Sequence, residues 1–183
     1  MNKINLSTYK NNLGRNHQLK RLIWNFIWKV FASWIPRSMF NSWKLFLLRG
    51  FGANIHKTAV VYSTVKIYAP WNLTLKEYSC LAPEVDCYNV DHITIGAHST
   101  ISQKSYLCTA SHDITKSNIP LITSPIVIHD QTWVGADVFI AMGVEIGEGA
   151  VVGARSSVFK SIEPWVVVGG NPAKILKKRE INE

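Results

Sequence analysis

From Ile128 to Val158 an aliphatic residue recurs at every sixth position: Ile128, Val134, Ile140, Ile146, Val152, Val158. The next residue is often minimal, as at Gly135, Ala141, Gly147 and Gly153, and the residue four places on is small or β-branched. A period of six does not gather residues on one face of a helix with 3.6 residues per turn, and the five glycines of 128–162 would weaken any helix. It suits short strands separated by turns, three to a triangular coil, each sending its aliphatic residue into a central stack. The same period runs earlier as three trios: Ile55, Val61, Ile67; Leu75, Leu81, Cys87; and Ile95, Ile101, Leu107. Eight residues separate one trio from the next, which puts two extra residues at one corner of each coil. Of the fifteen inward positions, fourteen are Ile, Val or Leu. Cys87 departs, and is expected to serve as a small core filler. The predicted fold is mainly β, a parallel β-helix over residues 51–171.

The repeat is interrupted once at length. After Leu107 the next inward residue in register is Ile128, and the interval holds His112, Asp113, Pro120 and Pro125. A solenoid accommodates such an insertion, near 113–127, only as an outward loop, because its backbone cannot be paired inside the stack. His112 stands at the root of that loop, where a rigid coil fixes the backbone while solvent reaches the side chain.

Charge divides the chain differently. All twelve Asp and Glu lie at or after Glu77, whereas residues 1–76 carry twelve Lys and Arg, so the first part is +12 and the remainder −4. A hydrophobic content of 47% excludes a disordered chain, and three cysteines exclude a disulfide scaffold. Residues 1–50 read as a basic, aromatic-rich helical extension, amphipathic and broken near Pro36. Four of the seven tryptophans fall between Trp24 and Trp43, punctuated by Lys20, Arg21, Lys29, Arg37, Lys44 and Arg49. No run reaches the ~18 uncharged apolar residues of a spanning helix, and no cleavable signal is evident. Two readings stand side by side. Either the aromatics pack on the main domain, or residues 20–50 make a peripheral contact with an anionic membrane. The basic residues are scattered among large aliphatics without a recognition motif, so no nucleic-acid partner is expected. Residues 172–183, containing AKILKKRE, read as a short basic closing helix.

Four segments carry a resemblance: Pro70-Trp71-Asn72-Leu73, Leu107-Cys108-Thr109-Ala110-Ser111-His112-Asp113, Gln131-Thr132-Trp133-Val134-Gly135, and Val168-Gly169-Gly170-Asn171-Pro172-Ala173-Lys174. With the repeat, they make residues ~50–180 similar to the hexapeptide-repeat acyltransferases, and most similar to the colanic acid biosynthesis acetyltransferase group. The resemblance implies a left-handed β-helix and a homotrimer with the active site between subunits. It implies acetyl-CoA as co-substrate, no metal, and His112 as general base. An alcohol is a poor nucleophile while it keeps its proton, and an imidazole can accept that proton near neutral pH. It further implies Trp133 near the reacting end, the amides of Ala136 and Ala154 along the cofactor, and Lys160, Lys174 and Lys177 near its phosphates. Two of those lysines stand where the family commonly has arginine, which keeps the charge but not a bidentate contact. Asp113 is one candidate to orient His112, and a backbone carbonyl is an equal one. Asp86 and Asn89, with Asp91 beside them, occupy the stretch comparable to the family's acceptor-binding coil. The acceptor expected is a sugar hydroxyl of an exopolysaccharide or lipid-linked glycan precursor, which places the enzyme in the cytoplasm, at the inner membrane face.

Other acceptors stay open: a free sugar, an amino sugar or a serine-like hydroxyl. A zinc carbonic anhydrase of the same fold would need three convergent histidines. His92, His98, His112 and His129 do not follow that spacing, and with His17 and His56 all but His112 are assigned structural roles. A non-catalytic scaffold would leave His112 and Trp133 unexplained.

Overall fold

A computed structural model describes residues 3–10, 13–36 and 39–182. Arg37, one of the cations counted in the basic segment, lies outside them. Every hexad forms a two- or three-residue strand, and the strands stack in parallel into three faces. Face A comprises Asn54–Ile55, Leu73–Leu75, Ile93–Ile95, Ile126–Ile128 and Glu145–Ile146. Face B comprises Val60–Val61, Cys80–Leu81, Thr100–Ile101, Trp133–Val134, Val151–Val152 and Val166–Gly169. Face C comprises Lys66–Ile67, Asp86–Tyr88, Tyr106–Cys108, Phe139–Ile140 and Ser157–Val158. The register carries each trio onto the next. Leu75 pairs with Ile95 and Ile95 with Ile128; Ile101 pairs with Val134; Leu107 pairs with Ile140.

All fifteen inward positions are buried, Cys87 among them, and burial pushes its thiol pKa up. The small residue after an inward aliphatic matters for close approach between coils. A Cβ on Gly135 would stand 2.7 Å from the Ala154 nitrogen, and one on Gly147 would stand 2.4 Å from the Pro164 nitrogen. The position four places on is buried at the corner, and its hydroxyls join coils: Ser99 Oγ donates to His129 O at 2.7 Å, and Ser105 Oγ to Gly135 O at 2.9 Å. Between these two positions the backbone turns left-handed, at Tyr78, Glu84, His98, Lys104, Gln131, Asp137 and Arg155. Only a few residue types enter that region readily, so the stacked coils must hold these seven in place.

Two helices close the N-terminal end: α1, Arg15–Phe31, and α2, Asn41–Gly50. The two sides of these helices differ. On the inner side Trp24 is buried, its Nε1–H donates to Ile67 O at 2.7 Å, and its ring packs on Trp28 and Phe51. Arg21 lies 3.4 Å over the Tyr68 ring, and Leu45 and Leu48 are buried under α2. Asn41 exchanges hydrogen bonds with Ala59 O and Val61 N–H, so α2 covers the otherwise open first coil. The outer side of α1 carries a second apolar stripe, Leu19, Leu22, Ile23, Phe26 and Val30, all exposed. No helix among the described residues is long and apolar enough to cross a membrane.

The closing segment is not the helix that its composition suggests. Lys174–Lys178 is a strand, antiparallel to Val166–Gly169 on face B. Ala, Leu, Lys and Arg favour a helix in isolation, but the last coil presents an unpaired strand edge, and pairing that edge outweighs local propensity.

Ile128 is fully buried between Ile95 and Ile146. Ile128→Ala should destabilise the protein by about 2–5 kcal/mol, read from denaturant unfolding, because the neighbouring coils cannot collapse into the space left.

Candidate active site

The insertion leaves the solenoid where face C turns into face A. It forms a hairpin of Ala110–His112 against Leu121–Thr123, with His112 opposite Leu121, before the chain rejoins face A at Ile126. His112 is exposed at the tip of its strand, and its Nδ1 lies 2.8 Å from the carbonyl oxygen of Ile119. A carbonyl only accepts, so in the neutral imidazole Nδ1 carries the proton and Nε2 the lone pair. Ile119 has φ +45°, a conformation in which a β-branched residue is an outlier. The loop that holds it is well tied: Asp113 N–H donates to Pro120 O, and Ile119 N–H to Lys116 O.

Asp113 does not orient the imidazole. Its Oδ1 accepts from Thr115 N–H at 3.0 Å and from Thr115 Oγ1–H at 2.6 Å, and Lys116 Nζ stands 3.5 Å from Oδ2. These donors hold its pKa below the usual carboxylate value. The carboxylate thus stabilises the start of the loop whose far end supplies Ile119.

The acceptor-binding candidates separate. Asn89 is corrected: it is fully buried, its amide nitrogen donates to Ala69 O and Asn72 O, and its Oδ1 accepts from Ala69 N–H. With both ends of the amide spent on backbone, it has nothing to offer a ligand. Asp86 faces α1, lining a cavity of about 600 Å3 with Trp24, Lys29, Tyr68 and Tyr88. Burial raises its pKa, against the pull of Lys66 at 3.9 Å. The acid that reaches the hairpin is Asp91, whose Oδ2 accepts from Thr123 Oγ1 at 3.0 Å. Polarity alone did not distinguish these three residues; the fold does.

The cofactor candidates lie elsewhere on the coils. Trp133 stands on face B, about half exposed, its Nε1–H donating to Ser102 Oγ at 3.0 Å. In a triangular prism the edge between C and A, where His112 sits, is opposite face B, so one chain does not bring His112 and Trp133 together. Ala136 and Ala154 follow paired strands at the corner between B and C, one coil apart. The amide N–H of neither donates to any described residue. Lys160 and Lys174 line one cavity of about 390 Å3 with Phe159, Pro172 and Ala173. Lys177 lies farther along the closing strand, outside that lining.

The other histidines have local partners. His92 Nε2 is 2.9 Å from Thr74 Oγ1, His98 stacks on Tyr78, His129 stands 3.7 Å from Glu145, His56 bonds Thr58, and His17 packs on Trp71. Among the described residues, no three His, Cys, Asp or Glu side chains converge as a metal site would require.

The left-handed parallel β-helix and its outward hairpin define the class, that of the hexapeptide-repeat acetyltransferases. Within that class the chain belongs to the colanic acid biosynthesis acetyltransferase family. It is 48% identical over 161 residues to WcaF of Escherichia coli K12, which bears that family's name, covering 88% of each chain. It is 35% identical over 136 residues to the galactoside O-acetyltransferase of Escherichia coli K12, covering 73% of this chain and 57% of the other. No protein-family model matches the chain. Among solved structures, a hexapeptide-repeat acetyltransferase of Vibrio cholerae in complex with acetyl coenzyme A superposes with a TM-score of 0.81 at 27% identity, covering 93% of both chains. A maltose O-acetyltransferase of Clostridium difficile 630 gives 0.80 at 26% identity, covering 92% of this chain and 90% of the other.

A folded-state pKa below the ordinary Asp value means that Asp113 stabilises its loop above about pH 4, and that this is lost as pH falls through the lowered value. The protection factor of the Thr115 amide, its intrinsic exchange rate at a given pH divided by the measured one, should therefore be highest at neutral pH and fall as the carboxylate protonates in acid. In Asp113→Ala it should be low throughout.

Proposed function

We propose that this chain transfers the acetyl group of acetyl-CoA to a hydroxyl of a sugar, within an exopolysaccharide or lipid-linked glycan precursor, with His112 as general base. The observation that carries the reading is the bond from His112 Nδ1–H to Ile119 O, which leaves Nε2 as a proton acceptor on an exposed, rigid strand. Nε2 takes the hydroxyl proton as the sugar oxygen forms a bond to the thioester carbonyl carbon. Collapse of the tetrahedral adduct breaks the C–S bond, and the imidazolium returns its proton to the departing thiolate. The products are an O-acetyl sugar and free coenzyme A. The acetyl coenzyme A complex of the Vibrio cholerae structure and the sugar acceptors named for the galactoside and maltose enzymes support this chemistry.

The working unit is a homotrimer with the active site between subunits. The His112 edge lies opposite the Trp133 face within one chain, so a site using both residues needs the edge of one copy set against face B of another. The donor amides of Ala136 and Ala154 suit the polar groups of a pantetheine arm, and Lys160 and Lys174 suit the phosphates. Lys177 joins them as a further cation on the closing strand.

Residues 20–50 give the enzyme a peripheral contact with the cytoplasmic face of the membrane. The outward stripe of α1 continues through the exposed Trp34, Phe40, Trp43 and Phe46, and residues 1–76 hold no acidic side chain. Apolar area enters the interface while Lys and Arg meet anionic headgroups. Two copies of this surface would instead repel each other.

Two experiments test these readings. His112→Ala should lower kcat by roughly 10²–10⁴-fold while calorimetry finds acetyl-CoA binding unchanged. Co-expressing it with Trp133→Ala should restore activity that neither variant has alone. Full activity in His112→Ala ends the mechanism, and failed complementation assigns the site to one chain. Separately, the protein should sediment with phosphatidylglycerol vesicles but not with phosphatidylcholine, less so as salt rises. Leu22→Glu with Phe26→Glu should abolish that binding at unchanged thermal stability.

A further inference from the structure

The first described residues form a strap across the catalytic hairpin, a connection that spans more than a hundred residues of sequence. Asn5 N–H donates to Ser117 O at 2.8 Å, and Lys3 and Ile4 line a hollow with Ile114 to Ser117. After Asn5 the chain makes one 3-10 turn, Leu6–Thr8, capped by Asn5 itself: its Oδ1 accepts from Ser7 N–H at 3.1 Å and from Ser7 Oγ–H at 2.6 Å. Thr8 Oγ1 donates back to Asn5 O at 3.1 Å, and Tyr9 N–H to Leu6 O at 3.0 Å. This small, fully bonded turn delivers one aromatic side chain. The Tyr9 ring lies 6.2 Å from the His112 ring, tilted by 48°, and remains 38% exposed.

We infer that Tyr9 is a specificity-determining residue of the acceptor site, a platform on which a pyranose ring stacks while its hydroxyl meets His112. This role rests on the sugar-acceptor reading and extends it. Leu6, the first residue of the turn, is left exposed, so the turn is not built to bury apolar surface in a core. Its hydrogen bonds fix the direction of Tyr9 instead. An aromatic ring open to solvent beside a proton acceptor offers a sugar the contact that hydroxyl-rich ligands otherwise lack, with the axial C–H face of the pyranose on the ring's π-face. The anchor is on the same loop that orients the base: Ser117 holds the strap, and two residues later Ile119 O holds His112 Nδ1. Ring platform and base are therefore kept at one spacing, and that spacing selects which hydroxyl of a stacked sugar is acetylated. Asp91, held at the base of the hairpin by Thr123, is the nearby polar counterpart on the solenoid side.

The test uses the full-length protein with acetyl-CoA and the methyl glycosides of glucose and galactose, measuring both thiol release and the position of the new ester. Tyr9→Ala should raise KM for the pyranoside roughly tenfold and broaden the set of hydroxyls acetylated. Its slow hydrolysis of acetyl-CoA by water and its coenzyme A affinity should stay within twofold of the parent. Tyr9→Phe should behave as the parent, because the ring and not its hydroxyl makes the platform. Unchanged KM and unchanged ester position in Tyr9→Ala would overturn the inference while leaving sugar acetylation standing. A comparable loss of acetyl-CoA hydrolysis would also overturn it, since Tyr9 would then be supporting His112 rather than the sugar. If the parent acetylates none of the pyranosides, Tyr9 is no platform for a single pyranose ring and the inference is overturned, while a larger glycan acceptor still stands.

Discussion

Everything in this molecule depends on one coil lying directly on the next. Backbone bonds run from coil to coil along all three faces, and one aliphatic side chain per strand fills the axis between them. The spacing is so close that a methyl group at Gly135 or Gly147 would meet the neighbouring backbone. Such a stack has no interior left for a ligand, which confines chemistry to what projects from edges and faces. It also provides the rigidity that a catalytic group needs, because a side chain at an edge inherits the order of several coils.

The hairpin that carries His112 uses that rigidity at one corner. Two extra residues already distinguish the corner from C to A in the first coils, and the long insertion enlarges the same corner. Its loop is secured at three points: the Asp113 turn at the start, the Ile119 carbonyl at the end, and the N-terminal strap across the middle. The left-handed Ile119 has a side chain poorly suited to that conformation, and the bonds on either side keep it there. The strap reaches the loop from the N-terminal segment, more than a hundred residues away in sequence, so the order of the hairpin depends on that segment as well as on the repeat.

That extension is two-sided. Its inner face closes the first coil, with Trp24 bonded to Ile67 and α2 laid over Ala59 and Val61. This is what any solenoid needs at an open end. Its outer face is apolar again, and its charge is of one sign. The packing of the inner face does not account for the outer one, where large apolar side chains stay exposed beside lysine and arginine.

The six-residue period by itself determined the β-helix, its inward ladder and the position of the insertion, because a repeat that must bury one residue per strand writes that residue into the sequence at fixed intervals. The place of His112 at the root of the insertion was legible for the same reason, since it stands where the period fails. Three features were decided only by tertiary structure. Lys174–Lys178 has the composition of a helix, but the exposed edge of the last coil makes it a strand. Asn89 and Asp91 are both polar residues of one short stretch; the direction of each side chain in the coil makes the first a backbone brace and brings the second to the hairpin. Tyr9 carries no local signal at all. Its position beside His112 follows from a strap folding back over the loop, and contacts between distant segments leave no periodicity to read.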